Sequence, residues 1–92
     1  MPDLPDIPLH TNTVLVIDDE PDALRMAASM LEAAQITVFV ANSGQKGLDV
    51  LARLTPDLIL MDAVMPGLDG FETTVRIKQD PALVHVPVIF MT

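Results

Sequence analysis

The sequence contains no cysteine, no tryptophan and no tyrosine. Without a thiol there is no disulfide framework, no thiolate metal centre and no cysteine nucleophile. Basic residues are scarce as well: five Lys and Arg stand against thirteen Asp and Glu, for a formal net charge of −8 and a pI near 4.2. Such a chain is repelled by phosphate backbones and anionic lipid, which argues against direct nucleic-acid or membrane binding by this segment. No apolar run approaches the roughly 18 residues of a membrane span. The start, Met1-Pro2-Asp3-Leu4-Pro5-Asp6, is acidic and proline-broken where a secretory signal needs positive charge. Together these absences favour a cytoplasmic location.

What the chain does have is apolar residues. Half of its 92 residues are hydrophobic, and the mean hydropathy is +0.42. One small domain with a sheet buried on both faces suits those values. Residues 1–12 carry Pro2, Pro5 and Pro8 at every third position, and read as an extended leader without a core of its own. From residue 13 onward, short apolar runs alternate with amphipathic stretches.

Thr13 to Ile17 forms a strand, and Asp18-Asp19-Glu20 the turn after it. Pro21 suits a first helical position, and Leu24, Ala27, Ala28 and Leu31 make the buried stripe of a helix reaching about Ala34. Ile36 to Ala41 forms a second strand. Ser43 is placed to cap a second helix, which runs to about Leu54 with Gly47, Leu48, Leu51 and Ala52 facing inward. Thr55-Pro56 stops it. Asp57 to Met61 is the third strand and delivers Asp62 into a breaker-rich loop, Ala63 to Gly70. A third helix spans about Phe71 to Lys78, with Phe71, Thr74 and Val75 facing in. Val86 to Met91 is the fourth strand. Alternation at this spacing predicts an α/β fold with a parallel sheet and right-handed crossovers.

In open sheets of that class, ligands bind outside the carboxyl ends of the strands. Asp18 and Asp19 follow the first apolar run, Asp62 the third and Thr92 the last. Crowded carboxylates raise one another's pKa, and a bound Mg²⁺ removes that cost because it takes hard oxygen ligands. A carboxylate such as Asp62 is also a competent phosphoryl acceptor. Plainer readings exist: Asp18, Asp19 and Glu20 could simply favour a helix dipole, and Asp62 could be a turn aspartate. The second is disfavoured, since Asp69 is better placed to cap the next helix.

Three segments together resemble the receiver domain of two-component response regulators. They are Val16-Ile17-Asp18-Asp19-Glu20, Leu58 through Asp62-Ala63-Val64-Met65-Pro66-Gly67-Leu68-Asp69-Gly70, and Pro87 through Thr92. The resemblance covers 13–92 and implies a flavodoxin-like α/β/α fold with sheet order 2-1-3-4(-5), lacking the last strand and the last two helices. It implies that Asp62 is the phosphoacceptor and Thr92 the switch hydroxyl. It implies a Mg²⁺ site made of Asp18, Asp19, Asp62 and the Val64 backbone carbonyl, with Asp19 binding directly and Asp18 largely through water. Pro66 and Gly70 shape the loop, and Met65 packs. A sensor histidine kinase or phosphotransfer protein is the implied phosphodonor.

The family's phosphoryl-binding lysine belongs to a fifth strand beyond these residues, and Lys46 and Lys78 lie in the wrong places to replace it. Two alternatives stay open: a phosphorylation-independent interaction module, and a Mg²⁺-dependent aspartyl-phosphate phosphatase. Against the latter, Val64 stands where such enzymes carry a second acid. Self-association is expected through the apolar edge of the fourth strand.

Overall fold

The computed structural model describes residue 7 and residues 10–91. Most of the expected leader, together with Thr92, falls outside the described residues. Seven elements follow in order: β1 (Thr13–Ile17), α1 (Pro21–Ala33), β2 (Thr37–Ala41), α2 (Gly44–Leu51), β3 (Leu58–Asp62), α3 (Gly70–Lys78) and β4 (Val88–Met91). The strands form one parallel sheet in the order β2-β1-β3-β4.

The central strands show why their sequences are apolar without a break. Val14 to Ile17 of β1 and Leu58 to Met61 of β3 are fully inaccessible to solvent. Side chains alternate across a strand, so each strand feeds two cores. Leu15, Ile17, Ile59 and Met61 join Leu51 and Ile77 beneath α2 and α3. Val14, Val16, Leu58 and Leu60 join Leu24, Ala27 and Leu31 of α1 on the opposite face, and Ile7 packs there too. Each such side chain contributes about 1.5–3 kcal/mol by leaving water. Asp57 ties the start of β1 into this frame: its Oδ2 accepts from the N–H groups of Asn12 (2.9 Å) and Thr13 (3.0 Å).

Helix α1 begins where expected. Glu20 caps it by accepting from the Asp22 N–H at 3.2 Å, and Pro21 follows. Its end is less ordinary. The Gln35 N–H donates to the Glu32 carbonyl and the Ile36 N–H to the Leu31 carbonyl. That pattern is a Schellman motif, which turns the chain through a left-handed residue. That residue is Gln35, at φ 64°, where glycine is the usual occupant. Ile36 packs against the cluster that holds Leu31, which completes the motif. Gln35→Gly is therefore expected to stabilise the fold by about 0.5–1 kcal/mol, the strain relieved less the entropy glycine gives up. Thermal melting will show this as a rise of about 2–8 °C.

Two helix faces differ from the sequence reading. Helix α2 ends at Leu51 rather than Leu54 and buries Gly44, Gly47 and Leu51; Leu48 is half-buried and Ala52 is exposed. The helix lies so close to the sheet at Gly47 that a Cβ there would meet the Ile17 side chain. That contact centres the inward face on the glycines. In α3 the buried residues are Gly70, Thr73 and Ile77. Of the residues expected inward, Phe71 and Val75 are exposed and Thr74 is half-buried. Apolar side chains suggested one rotation of this helix, and close backbone packing at Gly70 set another. Thr73 tolerates full burial because its hydroxyl donates to the Asp69 carbonyl at 2.7 Å. Phe71 instead stacks against Phe90 of β4, with ring centroids 4.8 Å apart.

A candidate acidic metal and phosphoryl site

β1 and β3 are neighbours in register, Ile17 opposite Met61. Their carboxyl ends therefore deliver Asp18, Asp19 and Asp62 to one point on the sheet edge. One carboxylate oxygen from each of the three lies within 4.8 Å of the others. Asp18 is buried, Asp62 half-buried and Asp19 exposed. The arrangement follows from parallel pairing, which aligns strand ends of the same polarity.

Local hydrogen bonds hold each acid. Asp18 donates its N–H to the Ala41 carbonyl at 3.1 Å, which anchors it to β2. Its Oδ1 accepts from the Glu20 N–H at 2.9 Å, so one oxygen of Asp18 already serves the backbone. Asp62 Oδ1 accepts from the Val64 N–H at 3.3 Å. The loop that follows is closed by the Gly70 N–H on the Ala63 carbonyl at 3.1 Å. Met65 is buried in the core beneath α2 and α3, as expected, and Gly67 turns the chain at φ 73°. Asp69 caps α3 by accepting from the Glu72 N–H at 2.8 Å. Gly70 then sits where a Cβ would run into the Asp62 carbonyl oxygen and Ala63 Cα, so the helix start braces the acidic strand end directly.

Burial pushes the Asp62 carboxyl above the ordinary carboxylate range. The Val64 N–H opposes this, while the charge of Asp18 and proton sharing with Asp19 and Asp18 push further upward. No cation offsets the crowding among the described residues. The ion pairs there are Arg25 with Asp22 and Arg76 with Glu72, neither of which includes a residue of the cluster. The three oxygens suit a hard divalent cation. Mg²⁺ prefers such oxygens and is typically held by one or two carboxylates together with water and phosphate oxygens, a donor set that Asp18, Asp19 and Asp62 would supply.

Thr92 lies outside the described residues. Val64 lies in the loop beside Asp62 with its side chain 80 % exposed. Sequence reasoning missed the Asp18–Glu20 backbone bond. The signal for it was present, because an aspartate two residues before an N-cap favours such a turn.

Comparison with known proteins agrees with this geometry. The family described as "Response regulator receiver domain" matches residues 14–92. A probable cyclic di-GMP phosphodiesterase of Vibrio cholerae is 40 % identical over 80 residues, which are 87 % of this chain and 18 % of that protein. The response regulator PleD of Caulobacter vibrioides is 39 % identical over 79 residues, 86 % of this chain and 17 % of PleD. This chain thus spans less than a fifth of the length of either relative. Among solved structures, the N-terminal domain of a response regulator receiver protein from Methanoculleus marisnigri superposes with a TM-score of 0.84 at 41 % identity, covering 87 % of this chain and 65 % of that one. A profile match across nearly the whole chain, a shared fold and acids gathered at the strand ends lead to one conclusion: the chain belongs to the response regulator receiver domain family.

Proposed function

We propose that Asp62 accepts a phosphoryl group from a sensor histidine kinase or phosphotransfer protein, with Mg²⁺ held by Asp18, Asp19, Asp62 and the Val64 carbonyl. The observation that carries this reading is the convergence of three carboxylates on one point with no neighbouring cation among the described residues. Bound Mg²⁺ supplies the positive charge that lets an anionic nucleophile meet an anionic phosphoryl group.

The chain's own residues do the rest. The Val64 N–H engages Oδ1 of Asp62 and sets the plane of the carboxylate. The other oxygen, Oδ2, receives no backbone N–H among the described residues and is the proposed attacking atom. It forms a bond to phosphorus as the bond from phosphorus to the donor's imidazole nitrogen breaks, and that nitrogen leaves with the electron pair and takes up a proton. Asp18, committed through Oδ1 to Glu20, would offer its second oxygen to the ion's waters, and exposed Asp19 would hold the ion directly. Thr92 is proposed as the hydroxyl that follows the phosphoryl group. The output is a phosphorylated signalling state rather than catalytic turnover, in a cytoplasmic chain. No helix among the described residues is long and apolar enough to cross a membrane. Self-association through the outer side of β4, whose four residues carry no charge and are half-buried, belongs to the same proposal.

Two measurements test it. With a small acyl phosphate and Mg²⁺, intact mass will rise by one phosphoryl group per chain and stop there. Continued release of phosphate would establish a phosphatase instead, and a protein that never labels would leave an interaction module. Because the chain lacks Trp and Tyr, metal binding is best followed by amide NMR shifts. Mg²⁺ is expected to move the resonances of Asp18, Asp19, Asp62 and Val64, and Asp19→Asn to weaken that response at least about tenfold. Unchanged titration in Asp19→Asn refutes the ligand set.

A further inference from the structure

We propose that the outer edge of β2 is a self-recognition surface, where β2 of a second copy of this chain pairs antiparallel across a two-fold axis at Phe39. The inference is independent of the acidic site and uses the opposite end of the sheet from β4.

The backbone supplies the first argument. The Thr37 N–H donates to the Asn12 carbonyl, and the Ala41 carbonyl accepts from the Asp18 N–H. In a parallel pair both peptide groups of such residues face the same neighbour. Thr37, Phe39 and Ala41 therefore face β1, and the two-residue period turns the N–H and C=O of Val38 and Val40 outward. Among the described residues nothing pairs with these groups, and a row of unpaired peptide groups is a template for another strand. One antiparallel register uses all of them, the one that sets Val38 opposite Val40 of the second copy and Val40 opposite its Val38. A register centred on Val38 would need Ile36, whose N–H already donates to the Leu31 carbonyl.

Side chains and charge supply the second argument. Edge strands that avoid pairing carry Lys, Pro or inward charge. Here no Asp, Glu, Lys or Arg stands between Glu32 and Lys46, in a chain of net charge −8 whose copies repel one another elsewhere. Phe39 is 37 % exposed and Val40 48 %, on a strand where Thr37 is also exposed, Val38 is half-buried and Ala41 is buried. The two-fold register stacks Phe39 beside its own copy at a non-hydrogen-bonded position, with Cα atoms about 4.5 Å apart. It also pairs β-branched Val38 with Val40, a favourable cross-strand combination. The occupant is therefore a second copy: the strand itself carries no charge, with Glu32 beside Thr37 and Val38 at one end and Lys46 with Asp49 beside Val40 at the other, and the edge is complementary to itself.

The absence of cysteine makes the test direct. Under mild oxidation, Phe39→Cys will form a disulfide-linked dimer, because its Cα separation lies within disulfide range. Thr37→Cys will not, since it faces position 41 rather than itself. In sedimentation equilibrium, Val40→Lys is expected to weaken the wild-type dimer by about tenfold or more, with circular dichroism confirming that the fold persists. Val40→Pro, which removes only an outward N–H, provides a second block. Raising ionic strength will strengthen the wild-type dimer by screening like charge. A wild-type protein that stays monomeric at high concentration overturns the proposal. So does association undiminished in Val40→Lys, which would place the contact at β4 or elsewhere, and so does cross-linking of Thr37→Cys as efficient as that of Phe39→Cys.

Discussion

Gly70→Ala is expected to destabilise the protein by about 3 kcal/mol, the upper range for forcing an extra methyl into a filled space. The melting temperature will fall by about 12 °C or more. The added Cβ meets the Asp62 carbonyl oxygen and Ala63 Cα, which are backbone atoms that cannot rotate away as a side chain would. Relief requires α3 to slide off the end of β3 or Asp62 to shift with its strand. Either movement opens the acidic cluster, so the variant will also lose its Mg²⁺-dependent shifts and its phosphoryl label, even below its melting temperature. Gly67→Ala is the comparison. Gly67 has open space around its Cβ position and a φ of 73°, so alanine there costs about 1 kcal/mol of backbone strain only. It should leave the metal response intact. A Gly70→Ala protein as stable as wild type, with normal Mg²⁺ binding, refutes the bracing role.

Asp62→Asn is expected to do two opposite things: abolish phosphoryl labelling and raise the stability of the metal-free protein. The first follows because the amide nitrogen replaces the attacking oxygen. The second follows from charge. Two unit charges about 5 Å apart repel by about 1 kcal/mol in water and about 3 kcal/mol at an effective dielectric of 20. For a half-buried group beside exposed Asp19 the lower figure applies, which corresponds to a rise of about 4–8 °C in melting temperature.

The pH dependence is also set. Asp62 is held above its unfolded value, so the folded chain keeps this proton more tightly than the unfolded one. Its contribution to stability is greatest below the unfolded value and is lost as pH rises through the folded value. Asparagine does not titrate, so the advantage of the variant will be small in acid and full near neutrality. Saturating Mg²⁺ should then reverse the order by stabilising the wild type more than the variant, by up to about 2.7 kcal/mol at a hundredfold excess over the wild-type Kd. A variant less stable than wild type in metal-free neutral buffer refutes the electrostatic account, and label retained on the variant refutes the acceptor assignment.

Much of this was legible in the residues. Val14 to Ile17, Leu58 to Met61 and Val88 to Met91 are apolar runs too short for helices. Pro21, Ser43 and Asp69 mark helix starts, and all three positions behave as read. Once strands and helices alternate, the right-handed crossover brings strand ends of one polarity to one edge. Asp18, Asp19 and Asp62 had to meet there. These features depend on local patterns, unbroken apolar runs for buried strands and a period of 3.6 for helices, which a linear sequence carries in full.

What the tertiary structure alone decided depends on how closely backbones approach. The rotation of α3, with Gly70, Thr73 and Ile77 inward instead of Phe71 and Val75, comes from Gly70 lying against the Asp62 carbonyl. No periodicity in the residues encodes that contact. The inward face of α2 turns on Gly47 lying against Ile17 in the same way. The left-handed Gln35 breaks the expectation of glycine after a helix, and the Schellman hydrogen bonds together with the burial of Leu31 hold it there. Most consequentially, Asp18 and Asp19 are alike in sequence and unlike in place. Burial and the Glu20 N–H commit the first to the backbone, and exposure leaves the second open to a ligand. Residue type supplied the carboxylates and the family resemblance implied different roles for them, and packing at the end of β1 is the physical reason for the difference.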